Sequence, residues 1–177
     1  MIEINFSPAD MEEANRIATL RNKPKMDAGI VSNLFGRHKF DELTPHLNGV
    51  MAEMAVSWYL GLGMDKSSRL DGDKGAPDLL GLDGATYEVK YTDLQGGDFI
   101  VPDRDPLKFV ADIGIVCHPG FSNRRVRLSA WVTSDDFLNN YHVRDYGSGD
   151  RAAISQSKMR DIGELKEYIY GNISQTG

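Results

Sequence analysis

The segment spanning residues 76–91, APDLLGLDGATYEVKY, decides the fold. Asp83-Gly84 is typical of a tight hairpin turn, and the apolar runs on either side of it predict two antiparallel strands, residues 79–82 and 85–91. Successive side chains of a strand point to opposite faces. The second strand therefore has an apolar face suited to the core, formed by Tyr87, Val89 and Tyr91, and a polar face, formed by Thr86, Glu88 and Lys90.

The length of the hairpin loop decides where Asp78 lies. A two-residue loop pairs Leu82 with Ala85. The same register then sets Asp78 opposite Val89, on the wrong face to meet Glu88. A three-residue loop, or one bulge in either strand, pairs Asp78 with Glu88 instead. A site built on this hairpin therefore requires such an irregularity.

The polar residues of the hairpin suit the hydrolysis of phosphodiesters. Glu88 and Lys90 are expected about 6.6 Å apart along their strand. Two carboxylates on rigid strands form a hard-oxygen site suited to Mg²⁺, which polarises phosphoryl oxygens and lowers the pKa of an attacking water. An ammonium group beside them stabilises the charge of the transition state. The alternative interpretation is an exposed hairpin that carries an ordinary Glu–Lys pair.

These residues resemble the PD-(D/E)XK nuclease superfamily, which includes restriction endonucleases, phage nucleases and Holliday-junction resolvases. The match is literal at Pro77-Asp78 and at Glu88-Val89-Lys90, with nine residues between the two acids. The resemblance implies the α/β class and a restriction-endonuclease-like core, a mixed β-sheet flanked by helices in the order αβββαβ. It also implies that Asp78, Glu88 and Val89 bind Mg²⁺, with Mn²⁺ as a substitute. Catalysis would depend on Asp78, Glu88 and Lys90.

A helix before the hairpin contributes Glu53 to the same expected site. Thr44-Pro45 predicts where this helix begins, Gly61 predicts where it ends, and its apolar stripe is Leu47, Val50, Met51, Met54, Ala55 and Trp58. Among such neighbours a carboxylate is costly unless it is paired or metal-bound. The resemblance implies that Glu53 is the further acid that joins the metal and catalytic residues in many superfamily members. The alternative is a glutamate at the edge of the stripe that reaches solvent.

The rest of the chain completes a single nuclease domain, residues 1–177, with an N-terminal helical extension of about residues 1–42. Ser7-Pro8 predicts a helix that ends near Leu20, followed by a basic connection over residues 21–39. Further predictions are strands at residues 109–117, 125–133 and 141–146, a short helix at residues 134–139, a loop at residues 147–150 and a closing helix at residues 159–170.

Composition narrows the class of protein without naming a partner. The net charge of −6 does not itself suggest nucleic acid, but phosphate contacts need only a local basic patch. Candidate contacts are Lys23, Lys25, Arg37, His38, Lys39, Arg124, Arg125 and Arg127. Cys117, the one cysteine, is interpreted as a small apolar strand residue. The sequence has neither a membrane-spanning apolar run nor a secretory signal, so a cytoplasmic location is expected.

The expected function is that of a metal-dependent deoxyribonuclease, with DNA as its partner and no membrane. The small size favours cleavage of structured or nonspecific DNA over sequence-specific cleavage, and a homodimer if both strands are cut. RNA as a target, and endonuclease against exonuclease action, stay open. The alternative function is a catalytically silent nucleic-acid-binding protein on a nuclease fold.

Overall fold

A computed structural model describes residues 1–27, 43–64, 76–147 and 149–173. The helices in these ranges are α1 (Pro8–Asp27), α2 (Leu43–Leu60), α3 (Ser134–Asn140) and α4 (Leu165–Ile173). The strands are β1 (Ile2–Asn5), β2 (Gly63–Met64), β3 (Leu79–Leu80), β4 (Thr86–Tyr91), β5 (Phe99–Ile100), β6 (Ile113–Pro119), β7 (Arg125–Thr133), β8 (His142–Asp145), β9 (Asp150–Ile154) and β10 (Arg160–Asp161).

The main sheet is mixed. Its strand order is β1-β7-β6-β4-β3-β2, and β10 also pairs with β7. β4 and β6 run parallel, whereas the other neighbours run antiparallel. A smaller antiparallel sheet has the order β5-β9-β8. β6 is buried along both faces because it lies in the middle of the main sheet and is covered on each side.

Two hydrophobic cores cover the two faces of the main sheet. On one face, side chains such as Tyr87, Ile115 and Trp131 pack with residues of α1, α2 and α4. On the other face, Val116 and Val132 pack with aromatic and aliphatic residues of the smaller sheet and α3. The expected α/β class, with a mixed sheet flanked by helices, is therefore confirmed. None of the described helices is long and apolar enough to cross a membrane.

The N-terminal helix begins where it was predicted and ends later. Ser7 and Asp10 form reciprocal capping contacts, with the Ser7 backbone N–H donating to Asp10 Oδ2 at 2.8 Å and the Asp10 N–H donating to Ser7 Oγ at 3.2 Å. The predicted end near Leu20 was wrong, because α1 continues to Asp27. Its buried stripe includes Ala14 and Ala18, which have no exposed surface, and beyond Leu20 the buried Asn22 and the ion pair of Arg21 with Glu53 add tertiary contacts.

Three further predictions were wrong in part. The closing helix begins at Leu165 instead of residue 159, because Arg160 and Asp161 pair with β7 and Trp131 Nε1 donates to the Asp161 carbonyl at 3.0 Å. The strand predicted from residue 109 begins at residue 113. Trp58, predicted to be core, is 44% exposed and packs only one side against the Phe6 ring, 4.8 Å away.

The connection between β4 and β6 differs from the αβββαβ order. α2, β2, β3 and β4 follow one another as helix and three antiparallel strands. Residues 92–112 then hold β5 and one 3₁₀ turn, Pro106–Lys108, and contain no α-helix. The crossover that brings β6 parallel to β4 is therefore made largely of irregular chain packed under the smaller sheet.

Candidate active site

The hairpin between β3 and β4 has the register that the site requires. Leu79 pairs with Tyr87 and Leu80 with Thr86, which is the register of the longer loop. The loop has three residues, 82–84, since the Gly81 N–H donates to the Ala85 carbonyl at 2.7 Å across it. The predicted irregularity is therefore confirmed, and the regular pairing stops at Leu79, because the Asp78 N–H also donates to the Tyr87 carbonyl.

Two features hold the loop at this length. Asp83 Oδ1 accepts a hydrogen bond from the Ala85 N–H at 3.1 Å, as a short acidic side chain commonly does in a turn. Gly84 has φ of +86°, a backbone conformation that favours glycine. Together they turn the chain so that Gly81 and Ala85 face each other.

Asp78 is fixed to β4 through the backbone. Its own N–H donates to the Tyr87 carbonyl at 2.9 Å, and its Oδ2 accepts from the Val89 N–H at 2.7 Å. The Asp78 carboxylate thus uses the Val89 N–H, which would otherwise be available for strand pairing. The regular pairing of β3 with β4 stops at Leu79. Val89, predicted among the metal ligands, contributes this N–H here; of its polar atoms only the carbonyl oxygen is chemically able to bind a cation.

The surroundings of Asp78 disfavour its negative charge. Burial first, and then the negative charges of Glu88 and Glu53, raise the pKa of this carboxyl from 3.8 to about 7, although the Val89 N–H and Lys90 act in the opposite direction. Three other predicted site residues, Glu88, Glu53 and Lys90, therefore lie within electrostatic reach of Asp78. A cation placed among the three acids would relieve their repulsion.

Glu88 and Lys90 lie on one face of β4, as predicted, and contact each other. The Lys90 ammonium donates a hydrogen bond to Glu88 Oε1, with the two side chains 34% and 25% exposed. Across the strand pair, Glu88 and Lys90 are opposite Gly114 and Val116 of β6. Val116 belongs to the second core, so β6 is packed on the same face of the sheet on which β4 carries the two charged side chains.

Glu53 comes from α2, and its burial within the apolar helix is confirmed. It is 8% exposed. Arg21 of α1 forms an ion pair with it, Nη1 donating to Oε1 at 2.9 Å and to Oε2 at 2.7 Å. The pairing partner that a buried carboxylate needs is thus an arginine of the N-terminal helix.

Arg21 is the site residue that the sequence prediction missed, because it was assigned to a basic connection. A signal for it is present: Ala14, Ile17 and Ala18 form the buried stripe of α1, and Arg21 follows them at helical spacing. An arginine that continues a buried stripe must find an acidic partner, and Glu53 is an acid at an inward position of the adjacent helix.

The end of β4 is held by a buried histidine. His118 is 2% exposed, and its Nδ1 lies 3.0 Å from the carbonyl oxygen of Thr92, two residues after Lys90. Its Nε2 lies 3.2 Å from Gln156 Oε1, and Gln156 in turn donates to Ser129 Oγ. The Thr92 N–H donates to the Cys117 carbonyl at 3.0 Å. Residues of β6 therefore anchor the backbone just after Lys90 at both the N–H and the carbonyl of Thr92.

The basic residues predicted to contact phosphate are dispersed. Arg125 Nη1 donates to Glu3 Oε1 at 2.8 Å, and Arg127 Nε donates to the Pro119 carbonyl at 2.7 Å. Both belong to β7, which β6 separates from β4. Lys23 is exposed on α1, the helix that carries Arg21. Arg37, His38, Lys39 and the side chain of Lys25 lie outside the described residues.

The acids of the site are engaged with protein groups in this structure. Asp78 accepts from a backbone N–H, Glu88 from Lys90 and Glu53 from Arg21. Within the described ranges, no three His, Cys, Asp or Glu side chains are arranged as a preformed metal site. The arrangement is an acidic cluster with two cationic side chains in contact with it.

No protein-family model matches this chain, and no curated protein matches it significantly in sequence. Any functional argument therefore depends on the geometry and charge of the site itself.

Proposed function

We propose that this protein is a divalent-metal-dependent nuclease that hydrolyses phosphodiester bonds in DNA. The observation that carries the proposal is the three-residue hairpin loop, because Asp78 then lies where the charges of Glu88 and Lys90 act on it. With a two-residue loop the same sequence would separate these groups. The proposal extends to the PD-(D/E)XK superfamily, supported by the helix and three antiparallel strands that carry these residues, and the irregular connection after β4 would be a departure from its αβββαβ order.

The donor set fits a hard divalent cation such as Mg²⁺, with Mn²⁺ as a substitute. Asp78, Glu88 and Glu53 supply carboxylate oxygens, and Val89 can add a carbonyl oxygen. Burial and the charges of Glu88 and Glu53 raise the pKa of Asp78, so a cation beside its ionised carboxylate would be electrostatically favourable. A bound cation would polarise a phosphoryl oxygen and lower the pKa of the attacking water.

The role proposed for Lys90 follows from its position beside the acids. Attack of water on phosphorus and rupture of the P–O bond develop negative charge on the phosphoryl group and on the departing oxygen. Lys90 offers a compact positive charge on a strand whose backbone is held firmly at Thr92. Glu88, which accepts from Lys90, keeps the ammonium oriented toward the acidic cluster.

Cleavage of labelled DNA tests the proposal directly. The substrates are linear, nicked, flapped and four-way-junction DNA, each incubated with Mg²⁺, Mn²⁺ or EDTA. Wild type is expected to cut at least one of them only with metal. Lys90→Ala and Asp78→Asn are expected to lower the rate by about 10²-fold or more, the loss typical of removing one electrostatic group from such a site.

Asp83→Asn is the matched control, because it removes a carboxylate from the same hairpin without touching the proposed site. Its Oδ1 can still accept from the Ala85 N–H. Equal activity of wild type and Lys90→Ala would refute the assignment of Lys90. Failure of wild type to cut any substrate, together with retained DNA binding, would favour a catalytically silent nucleic-acid-binding protein on this fold.

A further inference from the structure

The ion pair between Arg21 and Glu53 joins the N-terminal helix to the acidic cluster. We propose that Arg21 is a counter-ion for Glu53 in the metal-free protein and becomes a contact for a DNA phosphate once metal is bound. This inference rests on the proposed function. It assigns to α1 a part in substrate binding that the hairpin residues alone do not supply.

The geometry shows why Arg21 competes with a cation. One guanidinium nitrogen, Nη1, donates to both carboxylate oxygens of Glu53 at 2.9 and 2.7 Å, so a metal ion at Glu53 would share these oxygens with a positively charged donor. The two side chains are 22% and 11% exposed, and their attraction is therefore little screened by solvent. A divalent cation bound at Glu53 would also repel the guanidinium.

The charges of the named residues favour an anionic partner once metal is bound. Arg21 contacts Glu53, Lys90 contacts Glu88, and both acids act on Asp78. A divalent cation would add two positive charges to this group. A phosphodiester carries one negative charge and offsets part of them. A guanidinium repelled from Glu53 is therefore expected to find a phosphate a favourable partner.

Arginine suits this exchange better than lysine. Its planar fork of donors matches the oxygens of a carboxylate and of a phosphate equally well. The backbone beneath it is held by the buried stripe of α1 against α2, so the guanidinium moves by rotation of its side chain while the helix stays in place. The carboxylate and the phosphate are thus alternative partners of one donor group.

Two measurements test the inference, using Arg21→Gln, Arg21→Lys and Arg16→Gln. Calorimetry gives the Mg²⁺ affinity, and fluorescence anisotropy gives the affinity for labelled DNA in Ca²⁺ and in EDTA over a range of salt concentrations. Arg16 is the matched control, since it pairs with Glu13 on an exposed turn of the same helix, 2.7 Å apart. Unfolding in urea confirms that each variant folds.

Arg21→Gln is expected to bind Mg²⁺ more tightly, by about threefold to tenfold, because one competitor for Glu53 is lost. Its DNA affinity in Ca²⁺ should fall by a similar factor, and the slope of log K against log salt should decrease by about 1. In EDTA its DNA affinity should be unchanged. Arg21→Lys should keep the Mg²⁺ affinity near that of wild type and lose part of the DNA affinity. Arg16→Gln should change neither the Mg²⁺ affinity nor the effect of Ca²⁺.

Weaker Mg²⁺ binding by Arg21→Gln, or an equal loss of DNA affinity with and without Ca²⁺, would overturn the inference. In the first case Arg21 would only position Glu53, and in the second it would be an ordinary surface charge. If wild type cuts DNA, and Arg21→Gln has the same Mg²⁺ and DNA affinities as wild type, only this inference is rejected. Wild type that neither binds Mg²⁺ nor cuts DNA rejects the proposed function as well.

Discussion

Replacing Asp78 by asparagine is expected to stabilise the metal-free protein. Asparagine has nearly the same shape, and its Oδ1 can still accept from the Val89 N–H, which now donates to Asp78 at 2.7 Å. The substitution removes the negative charge that burial, Glu88 and Glu53 disfavour. The new amide N–H groups can also donate to a neighbouring carboxylate.

The size of the effect follows from the pKa of Asp78. A rise from 3.8 to about 7 corresponds to a cost of about 4 kcal/mol for the ionised group in the folded state. Because the side chain keeps some contact with solvent and neighbouring side chains can relax, we expect a gain of about 1–3 kcal/mol in the free energy of unfolding. For a chain of this size that corresponds to about 3–10 °C in Tm.

The dependence on pH has a definite sign. Below pH 4 the carboxyl is protonated in both the folded and the unfolded state, so Asp78 costs nothing there. As pH rises from 4 to 7 the unfolded state loses this proton before the folded state does, and wild type loses stability. The advantage of Asp78→Asn should therefore be small at pH 4.5 and reach its full size by pH 8.

Urea unfolding in EDTA, followed by circular dichroism at pH 4.5 and pH 8, measures this difference. Asp83→Asn is the control, since it removes an exposed acid from the tip of the same hairpin. Adding Mg²⁺ should stabilise wild type and leave Asp78→Asn unchanged. A variant that is no more stable than wild type at pH 8, or that shows the same gain at both pH values, would refute the electrostatic account of the cluster.

Three other experiments test the framework of the site. Deleting Leu82, a fully exposed loop residue, should preserve Mg²⁺ binding measured by calorimetry, because a two-residue Asp-Gly turn can still hold Gly81 opposite Ala85. Loss of Mg²⁺ binding would contradict the argument that the pairing of Gly81 with Ala85 positions the site. Gly114→Ala should lower the free energy of unfolding by about 1–3 kcal/mol, since its new Cβ would lie 2.6 Å from the Phe99 ring; an unchanged urea midpoint would show that the aromatic cluster is looser than described. Burial raises the pKa of the Cys117 thiol, so this group should resist a thiol reagent in the native state and react in urea; fast native reaction would mean that β6 opens locally.

The parts of the fold with a strong local pattern could be predicted from sequence. β7 spans residues 125–133, as its alternating pattern indicated, and α2 ends at Leu60 before Gly61, whose φ is +68°. The opposite faces of β4 were also evident, because one face carries only apolar or aromatic residues. Each of these signals depends on residues a few positions apart, and tertiary contacts agree with it.

The parts that depend on distant partners could not be predicted. β2, β5 and β10 have only two residues each, and pairing with other strands defines them. The 147–150 loop was predicted, but the strand that starts at Asp150 was not, because its partners lie in β5 and β8. The sequence left the length of the hairpin loop undecided, because Asp83-Gly84 suits a loop of two or of three residues. The contact between Asp83 and the Ala85 N–H selects the longer one.

The candidate site shows the same division between local and distant information. Asp78, Glu88 and Lys90 form a pattern within one hairpin, and Glu53 was detectable because an acid within an apolar helix needs a partner. Arg21, 32 positions before Glu53, carried only the indirect signal of a charged residue in line with a buried stripe. A partner across two helices is found when both helices are known to pack, which requires the structure.

The acidic cluster is difficult to explain as a device for stability. Burial and the charges of Glu88 and Glu53 raise the pKa of Asp78, and the three acids are held by two ion pairs and a backbone N–H. Asparagine and glutamine would satisfy the same donors without the electrostatic cost. A fold normally retains such a cost where a ligand removes it, and under the proposed function that ligand is a cation. The stability expected of Asp78→Asn and its expected lack of response to Mg²⁺ therefore have one cause. The charge that weakens the metal-free protein is the charge that a metal would use.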